Sequence, residues 1–576
     1  MRTSNLQWNV PVRATALAAT VPGAAVAHSE ITLDPPLAPR DEAIFLLHVA
    51  AEIEHALLVQ YLYAAYSLRR DGDFGPGAPA NAAALTQSWF NAIFQTAKEE
   101  MGHLLTVQNI LRFIGGPLTL EREDFPFRSD VYPFHFRLQP LTKNSLAKYV
   151  AAERPEIPVG LSPEEEATLD QLLARVHHAD AEPVNRVGRV YNRLIELAEK
   201  LTVDDFRPDL SMFQGTAGEW GGDPETLVQR DAAGNIISVG KGVLVFQVKN
   251  GKDLVDALTA VGLQGEGGAT AATNRDSHFW RFFSVYRDAD FPDEAAPPMK
   301  WQPARAVAVN PNTTTAPTRL AALYAEEREE ETELAKGRIT NEQTRLWAQI
   351  FNTRYRLLLL CLGHSLRVPA TDPNRSRLIN WAGTEMHNVA HLATLLSDMD
   401  RTAHPKDGKA GATFELPYTL SASDDDRDRW RTQRDLLIAA ALLYQNIHPA
   451  NALQTEKINA LRTDDGVDEK SGRRKIVADI LQTPLPLPGV PGRMPVPVGA
   501  AASFARDILP LFRTIDIEHM TPMGVMLGDF HYMSDPGNAQ QVLDTLAGQT
   551  MPPGGPFWSQ TQLDLFRKWM ADGFPV

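Results

Sequence analysis

The chain has 576 residues, 44% hydrophobic and 22% charged, an ordinary globular composition and a length too great for one core, so several structural units are expected. A formal net charge of −15 leaves no basic stripe to neutralise phosphates, which excludes general nucleic-acid binding and disfavours an anionic membrane surface. The single cysteine, Cys361, excludes intrachain disulfides, thiolate zinc clusters and covalent haem.

Residues 1–38 read as a mobile arm. Within it ATALAATVPGAAVA follows two arginines and ends in Ala-x-Ala before His28, loosely mimicking a signal peptide. Pro22 and a single leucine make that stretch poorly hydrophobic, so the expected location is cytoplasmic. No apolar run approaches the roughly 20 residues a membrane span requires.

After the boundary DPPLAPR, apolar residues recur at helical spacing over 41–70, with Asp41 as the cap. DGDFGPGAPAN is a loop, and a second long helix over Ala84–Ile114 stops at Gly115-Gly116-Pro117, giving an antiparallel hairpin. Residues 118–160, rich in proline and aromatic residues, read as an ordered loop, and Ser162–Leu201 as one or two further helices. IISVGKGVLVFQVKN brings short β-type runs into 203–250, a small strand-bearing insertion. Helical periodicity resumes over Asp253–Leu263 and Ser277–Tyr286, separated by GLQGEGGATAATN, whose glycines suit a pocket mouth. Two more long helices follow over Thr318–Arg367, broken near Gly337, and Arg375–Met399, then a charge-rich helical stretch over 408–480. The expected organisation is mainly α: an antiparallel four-helix bundle over 39–290 carrying the insertion, a helical extension over 291–483, a Pro-rich linker over 484–500 and a small helical unit over 501–576.

The chemistry concentrates in the first hairpin. Glu54 and Tyr61 are two turns apart on AAEIEHALLVQYLYAAYSL and share a face; Glu100 and His103 share a face at i, i+3 on AKEEMGHLLTVQNILRFIGG. One inward Glu, then Glu-x-x-His on the antiparallel partner, is half the ligand set of a carboxylate-bridged dimetal bundle. The bland alternative has Glu54, Glu99 and Glu100 on solvated faces, paired with lysines such as Lys98, but the helix around Glu54 is too apolar for a wholly solvated face. Glu52 and His55 cannot share the metal face with Glu54 and are assigned outside it.

These two helices, with GRVYNRLIELAEKL, the GLQGEGG loop, SHFWRFFSVY and AGATFELP, resemble the ferritin-like domain of the iminophenylpyruvate dimer synthase family, violacein- and rebeccamycin-pathway enzymes that couple imines of aromatic 2-oxo acids. The likeness covers roughly residues 38–440. It implies a bundle with Glu54, Glu100, His103 and His278 as ligands of iron or manganese, mono- or dinuclear. Two positions depart from the family's pattern: Arg189 stands where its third helix has Glu, and Arg275 stands three before His278 where its fourth helix has Glu. Arginine cannot ligate a metal. Three outcomes stay open: Glu196, Asp276 or Glu266 substitutes; one metal is held rather than two; or none, with the arginines neutralising Glu54 and Glu100. Glu196 lies seven beyond Arg189 and points the same way, whereas Asp276 is rotated about 200° from His278.

Tyr61 and Tyr191 are expected to orient the ligands, and Trp89, Phe90, Phe279 and Trp280 are candidates to line a pocket for a flat substrate. His387 and His391 have a chelating i, i+4 spacing but no third ligand, so their helix reads as packing; His177-His178 read as solvent-exposed. The last unit resembles a c-type cytochrome domain in which Asp516-Ile-Glu-His519-Met520 replaces CxxCH; His519 or Met551 could hold noncovalent haem, but a haemless docking or dimerisation module fits better. The leading expectation is a metal-dependent oxidative enzyme of secondary metabolism acting on a small molecule; the alternative is a scaffold that has lost its centre. Neither nucleic acid nor membrane is an expected partner, and a homodimer is the assembly allowed for.

Overall fold

The computed structural model describes residues 12–14, 31–33 and 35–575, apart from 71, 73, 128–130, 157, 159, 181–183, 267–274, 296–300, 315–333, 417–422, 424, 468–471, 483–501, 513 and 552–556. The linker at 484–499, the GLQGEGG loop beyond Glu266 and the side chains of His177 and His178 therefore lie outside the described residues. The chain divides into two compact units, Met1–Pro484 and Leu485–Val576.

In the first unit a short antiparallel pair, β1 (Val12–Ala14) and β2 (Ile31–Leu33), precedes the bundle. Helix α1 (Pro39–Ser67) starts at Pro39 rather than at Asp41, because a proline supplies the helical φ of a first turn and has no N–H to leave unpaired; Asp41 sits inside that turn, where its charge suits the helix dipole. Helix α2 (Ala82–Phe113) packs antiparallel on α1 and ends as Gly115 turns left-handed (φ +71°), letting Gly116 N–H reach the Leu111 carbonyl at 2.7 Å.

The stretch expected to be a loop at 118–160 contains a helix, α3 (Lys143–Glu153), opened by a reciprocal capping box between Thr142 and Ser145. Then come α4 (Pro163–Asp180) and α5 (Gly188–Ala198), a bulged hairpin β3 (Val228–Arg230) and β4 (Ile236–Val239), and α6 (Gly251–Glu266) and α7 (His278–Arg287). Helix α3 packs on α7, and α5 packs on α6. Each remaining column of the bundle is thus built from two short helices, and Val187 N–H donates to the Ala152 carbonyl at 3.0 Å, joining the end of α3 to the approach of α5.

A second hairpin, α8 (Glu342–Ser365) and α9 (Pro373–Leu396), covers the outer side of α1 and is backed by α10 (Asp426–Gln445), α11 (Ala452–Asp464) and α12 (Arg473–Gln482). Its interior is polar: Arg354 pairs with Glu385 (3.0 Å) and Asp465 (2.7 Å), and Arg473 closes on Glu385 from α12. His387 bonds back to the Gly383 carbonyl on its own helix, and Cys361 is fully buried. Among the described residues no helix is long and apolar enough to cross a membrane.

The second unit contains α13 (Thr514–Met520), α14 (Pro536–Ala547) and α15 (Gln560–Ala571) around a core that includes Phe504, Phe512, Trp558, Phe566 and Trp569. His519 is on its surface and Met551 is half-buried.

The insertion is fastened along one face of α2. Gly102 lets the chain at Leu244 pass so close that a Cβ there would lie 2.6 Å from the Leu244 oxygen; one turn on, Thr106 accepts from Phe246 N–H (3.1 Å), and Asn109 donates to the Phe246 (2.6 Å) and Gly215 (2.9 Å) carbonyls. Because the obstacle is backbone, Gly102→Ala is expected to cost about 1–3 kcal/mol and lower Tm. Gly383→Ala, on a helix face with nothing within 4 Å, should leave Tm equal or higher. Equal thermal unfolding of both variants would show that the insertion is not seated on α2.

Candidate metal centre

The two breaks in the bundle fall at one level, opposite the middle of the unbroken pair α1 and α2. Glu153 is the last residue of α3 and His278 the first of α7, whose N-cap Ser277 accepts from Trp280 N–H. From the facing side α1 contributes Glu54 and α2 contributes Glu100 and His103, one turn apart. All five side chains are buried, the most exposed of them at 2%.

Glu100 lies between both imidazoles. Its Oε2 is 2.8 Å from His103 Nδ1 and its Oε1 is 3.1 Å from His278 Nδ1. Glu54 Oε2 approaches His103 Nδ1 at 3.3 Å, and Glu153 Oε2 approaches His278 Nδ1 at 3.7 Å. The rings stack with centroids 5.3 Å apart. Ligand atoms of Glu100, His103 and His278 all lie within 4.8 Å of one another, a separation one cation could span. The space between them, about 10 Å³, is of water size and is lined also by Leu57, Tyr191, Val261 and three glycines. Glu54 Oε2, Glu100 Oε1 and His278 Nδ1 have no hydrogen-bond partner. Buried polar atoms are rarely left so, and hard carboxylate oxygens with imidazole nitrogens are donors for iron, manganese or zinc. The residues therefore fit a metal.

Burial and the neighbouring Glu100 raise the Glu54 carboxyl to about 8. For Glu100 burial acts in the same direction, but His278 and His103 outweigh it and hold the group well below the usual carboxylate range. Burial would lower His103, yet Glu100 and Glu54 carry it up to about 10; His278 is raised in the same way, chiefly by Glu100. Protons thus occupy the place a cation would take.

Glu54, Glu100, His103 and His278 come together; Glu196 does not. It is exposed at the far end of α5 and pairs with Arg193 at 2.8 Å. Neither arginine that complicated the expected ligand set reaches the cluster. Arg275 lies before α7 begins, pairs with Glu165 at 3.1 Å and stacks over Trp280; Arg189 donates to Asn185. Among the described residues, Glu54, Glu100 and Glu153 make ion-pair contacts only with the two histidines. Tyr61 donates to Glu153 Oε1 (2.5 Å) and Tyr191 to Glu54 Oε1, so each tyrosine holds one candidate ligand. Glu52 and His55 face away from the cluster: Glu52 accepts from Tyr132 (2.6 Å), and His55 bonds Tyr355 of the second hairpin. Trp89, Phe90, Phe279 and Trp280 do not line the cavity; Trp89 packs against Phe291 and Trp301, and Phe279 against Phe283. The residue missed was Glu153. Its signal was present: Leu146, Tyr149, Val150 and Glu153 follow helical spacing from a Thr-x-x-Ser start.

Residues 47–287 match the ferritin-like family model, and this part of the chain has a ferritin-like fold. The dichlorochromopyrrolate synthase of Lentzea aerocolonigenes is 24% identical over 409 residues, covering 66% of this chain but only 36% of that protein, so the match spans about a third of the relative's length. A crystal structure of a ferritin like protein from Caulobacter vibrioides shares 17% identity, covers 62% of this chain and 94% of that one, and has a TM-score of 0.30.

The sign of the charge effects is testable. His103 and Glu54 are both raised on folding, from 6.5 to about 10 and from 4.5 to about 8, so what they add to stability is present below the ordinary values and lost as pH rises through those windows. The metal-free protein should lose Tm between about pH 6.5 and 9, and Mn²⁺, which binds the deprotonated groups, should raise Tm more at about pH 8.5 than at about pH 6. A Mn²⁺ effect larger at the acid end would contradict this assignment.

Proposed function

We propose that the ferritin-like domain is a metal-dependent oxidation centre of secondary metabolism, holding iron or manganese through Glu54, Glu100, His103, Glu153 and His278. The observation that carries this is Glu100, whose two oxygens address two imidazoles at 2.8 and 3.1 Å in a buried setting where no arginine or lysine among the described residues contacts it. A metal bound there would supply the one-electron oxidation and reduction that these side chains cannot perform. The chain's own part is to hold donors ready: Tyr61 and Tyr191 each fix one oxygen of Glu153 and Glu54 and leave the other facing inward. Surrounding aliphatic and aromatic packing excludes bulk water, and Tyr61 itself is wedged between Tyr149 and Phe282 at 4.9 and 4.7 Å.

As substrate we propose a small organic acid derivative, with aromatic 2-imino acids the class favoured by the resemblance of the helices carrying Glu54, Glu100 and His278. The relative named a dichlorochromopyrrolate synthase supports a role in secondary metabolism. The scaffold alternative drew its support from Arg189 and Arg275, and neither side chain faces the carboxylates.

Purified protein should contain iron or manganese at near-stoichiometric level. Glu100→Ala and Glu153→Ala should each lower metal affinity by at least the roughly 10–100-fold typical of losing a partner outside the ligand shell. Oxidation of an aromatic 2-oxo acid in the presence of ammonia should fall with the metal. Equal trace metal in wild type and both variants would leave the scaffold as the better description.

A further inference from the structure

The outward nitrogens of the two histidines end on a single backbone turn. Gln264, near the end of α6, donates its amide nitrogen to the Gly240 (2.8 Å) and Gly242 (2.9 Å) carbonyls, which can only accept. The amide is thereby oriented, and its oxygen faces His103 Nε2 at 2.9 Å. An amide oxygen accepts only, so that nitrogen carries the hydrogen and His103 turns Nδ1 to Glu54 and Glu100. On the other ring, His278 Nε2 lies 3.1 Å from Glu99 Oε2. Glu99 is held as an acceptor by Arg281 and, on its other oxygen, by Gly242 N–H (2.8 Å) and Gln95 (2.8 Å). His278 Nε2 therefore also donates, and its Nδ1 also faces inward. Gly242 touches both relays, its carbonyl holding Gln264 and its N–H holding Glu99.

We infer that the Gly240–Gly242 turn of the strand-bearing insertion is a positioning device which, through Gln264 and Glu99, commits both imidazoles to take a cation through Nδ1. This rests on reading the cluster as a cation site and adds a role for the insertion, which contributes no ligand of its own. Neither Gln264 nor Glu99 is a catalytic residue; each acts through the ring it holds.

The test uses the full chain, stripped of metal and titrated with Zn²⁺, a diamagnetic probe. Two-dimensional ¹⁵N–¹H spectra of the imidazoles then report which nitrogen bears hydrogen. Wild type should show Nε2–H on both His103 and His278, with Nδ1 shifted by the metal. Gln264→Leu should disturb the His103 pattern and Glu99→Gln that of His278, each weakening Zn²⁺ binding by about 10–100-fold. Hydrogen on Nδ1 of either ring in the Zn²⁺-loaded wild type overturns the inference, and this spectrum decides even where a variant fails to fold. Normal Zn²⁺ affinity in both folded variants overturns the positioning role while leaving the metal centre intact. Failure of wild type to take up Zn²⁺ or Mn²⁺ removes the centre itself, and the inference with it.

Discussion

Buried carboxylates and imidazoles around a space with room for one water-sized body set the terms for everything around them. An ion moved out of water into such a place costs several kcal/mol unless an opposite charge or a full set of hydrogen bonds meets it. Glu54, Glu100 and Glu153 have no guanidinium or ammonium beside them among the described residues, so the compensation must be protons on the histidines and on Glu54, or a cation. The direction of the shifts on Glu54, His103 and His278 is the signature of protons standing in for missing positive charge. In the second hairpin Glu385 and Asp465 are instead met by a permanent cation, the Arg354 guanidinium. In the cluster Glu54 Oε2, Glu100 Oε1 and His278 Nδ1 face only one another and His103, without a well-formed hydrogen bond.

Holding such a cluster together takes rigid walls. The unbroken helices α1 and α2 provide two of them, with α1 covered on its outer side by the second hairpin so that it is buried on nearly all faces. Breaking the other two columns places a helix end on either side of the cavity, Glu153 closing α3 and His278 opening α7. The price in lost helical hydrogen bonds is offset locally: Val187 bonds across one break, and Ser277 caps the helix after the other. The insertion returns along the Gly102, Thr106 and Asn109 face of α2 and bonds its Gly240–Gly242 turn to Gln264 and Glu99, the residues that meet the outward nitrogens of the two rings. Tertiary packing and side-chain chemistry are therefore one arrangement here, since the segment that seals the bundle also orients its histidines.

Periodicity revealed the parts of this arrangement that lie on long helices. Glu54, Glu100 and His103 could be read from spacing because each sits mid-helix, flanked by two or more turns of regular apolar residues. Resemblance added His278. Glu153 escaped because α3 is only 11 residues long and follows a stretch dominated by FPF and VYPFHF, which masks a three-turn amphipathic pattern. Gln264 and Glu99 were illegible for another reason: nothing in a glutamine or a second glutamate on a helix shows which imidazole will fold against it. The strand-bearing character of 203–250 was visible, but its contact with α2 depends on backbone passing over Gly102, a long-range fact without a local pattern.

The two arginines show where transferring ligand positions by spacing breaks down. Counting three back from a histidine presumes that both residues lie on one helix, where i and i+3 share a face. His278 is the first residue of α7, so residue 275 lies in the preceding turn and its side chain leaves the bundle, 56% exposed and paired with Glu165. The same presumption misplaced Arg189, which sits in the first turn of α5, beyond the break, while the carboxylate of that column is supplied from the other side of the break by α3. A column split in two can deliver its ligand from either piece. The arginines therefore carry no information about whether the centre is intact, and three carboxylates with two inward imidazoles make a set one glutamate short of the full six-ligand pattern but still sufficient to surround a cation.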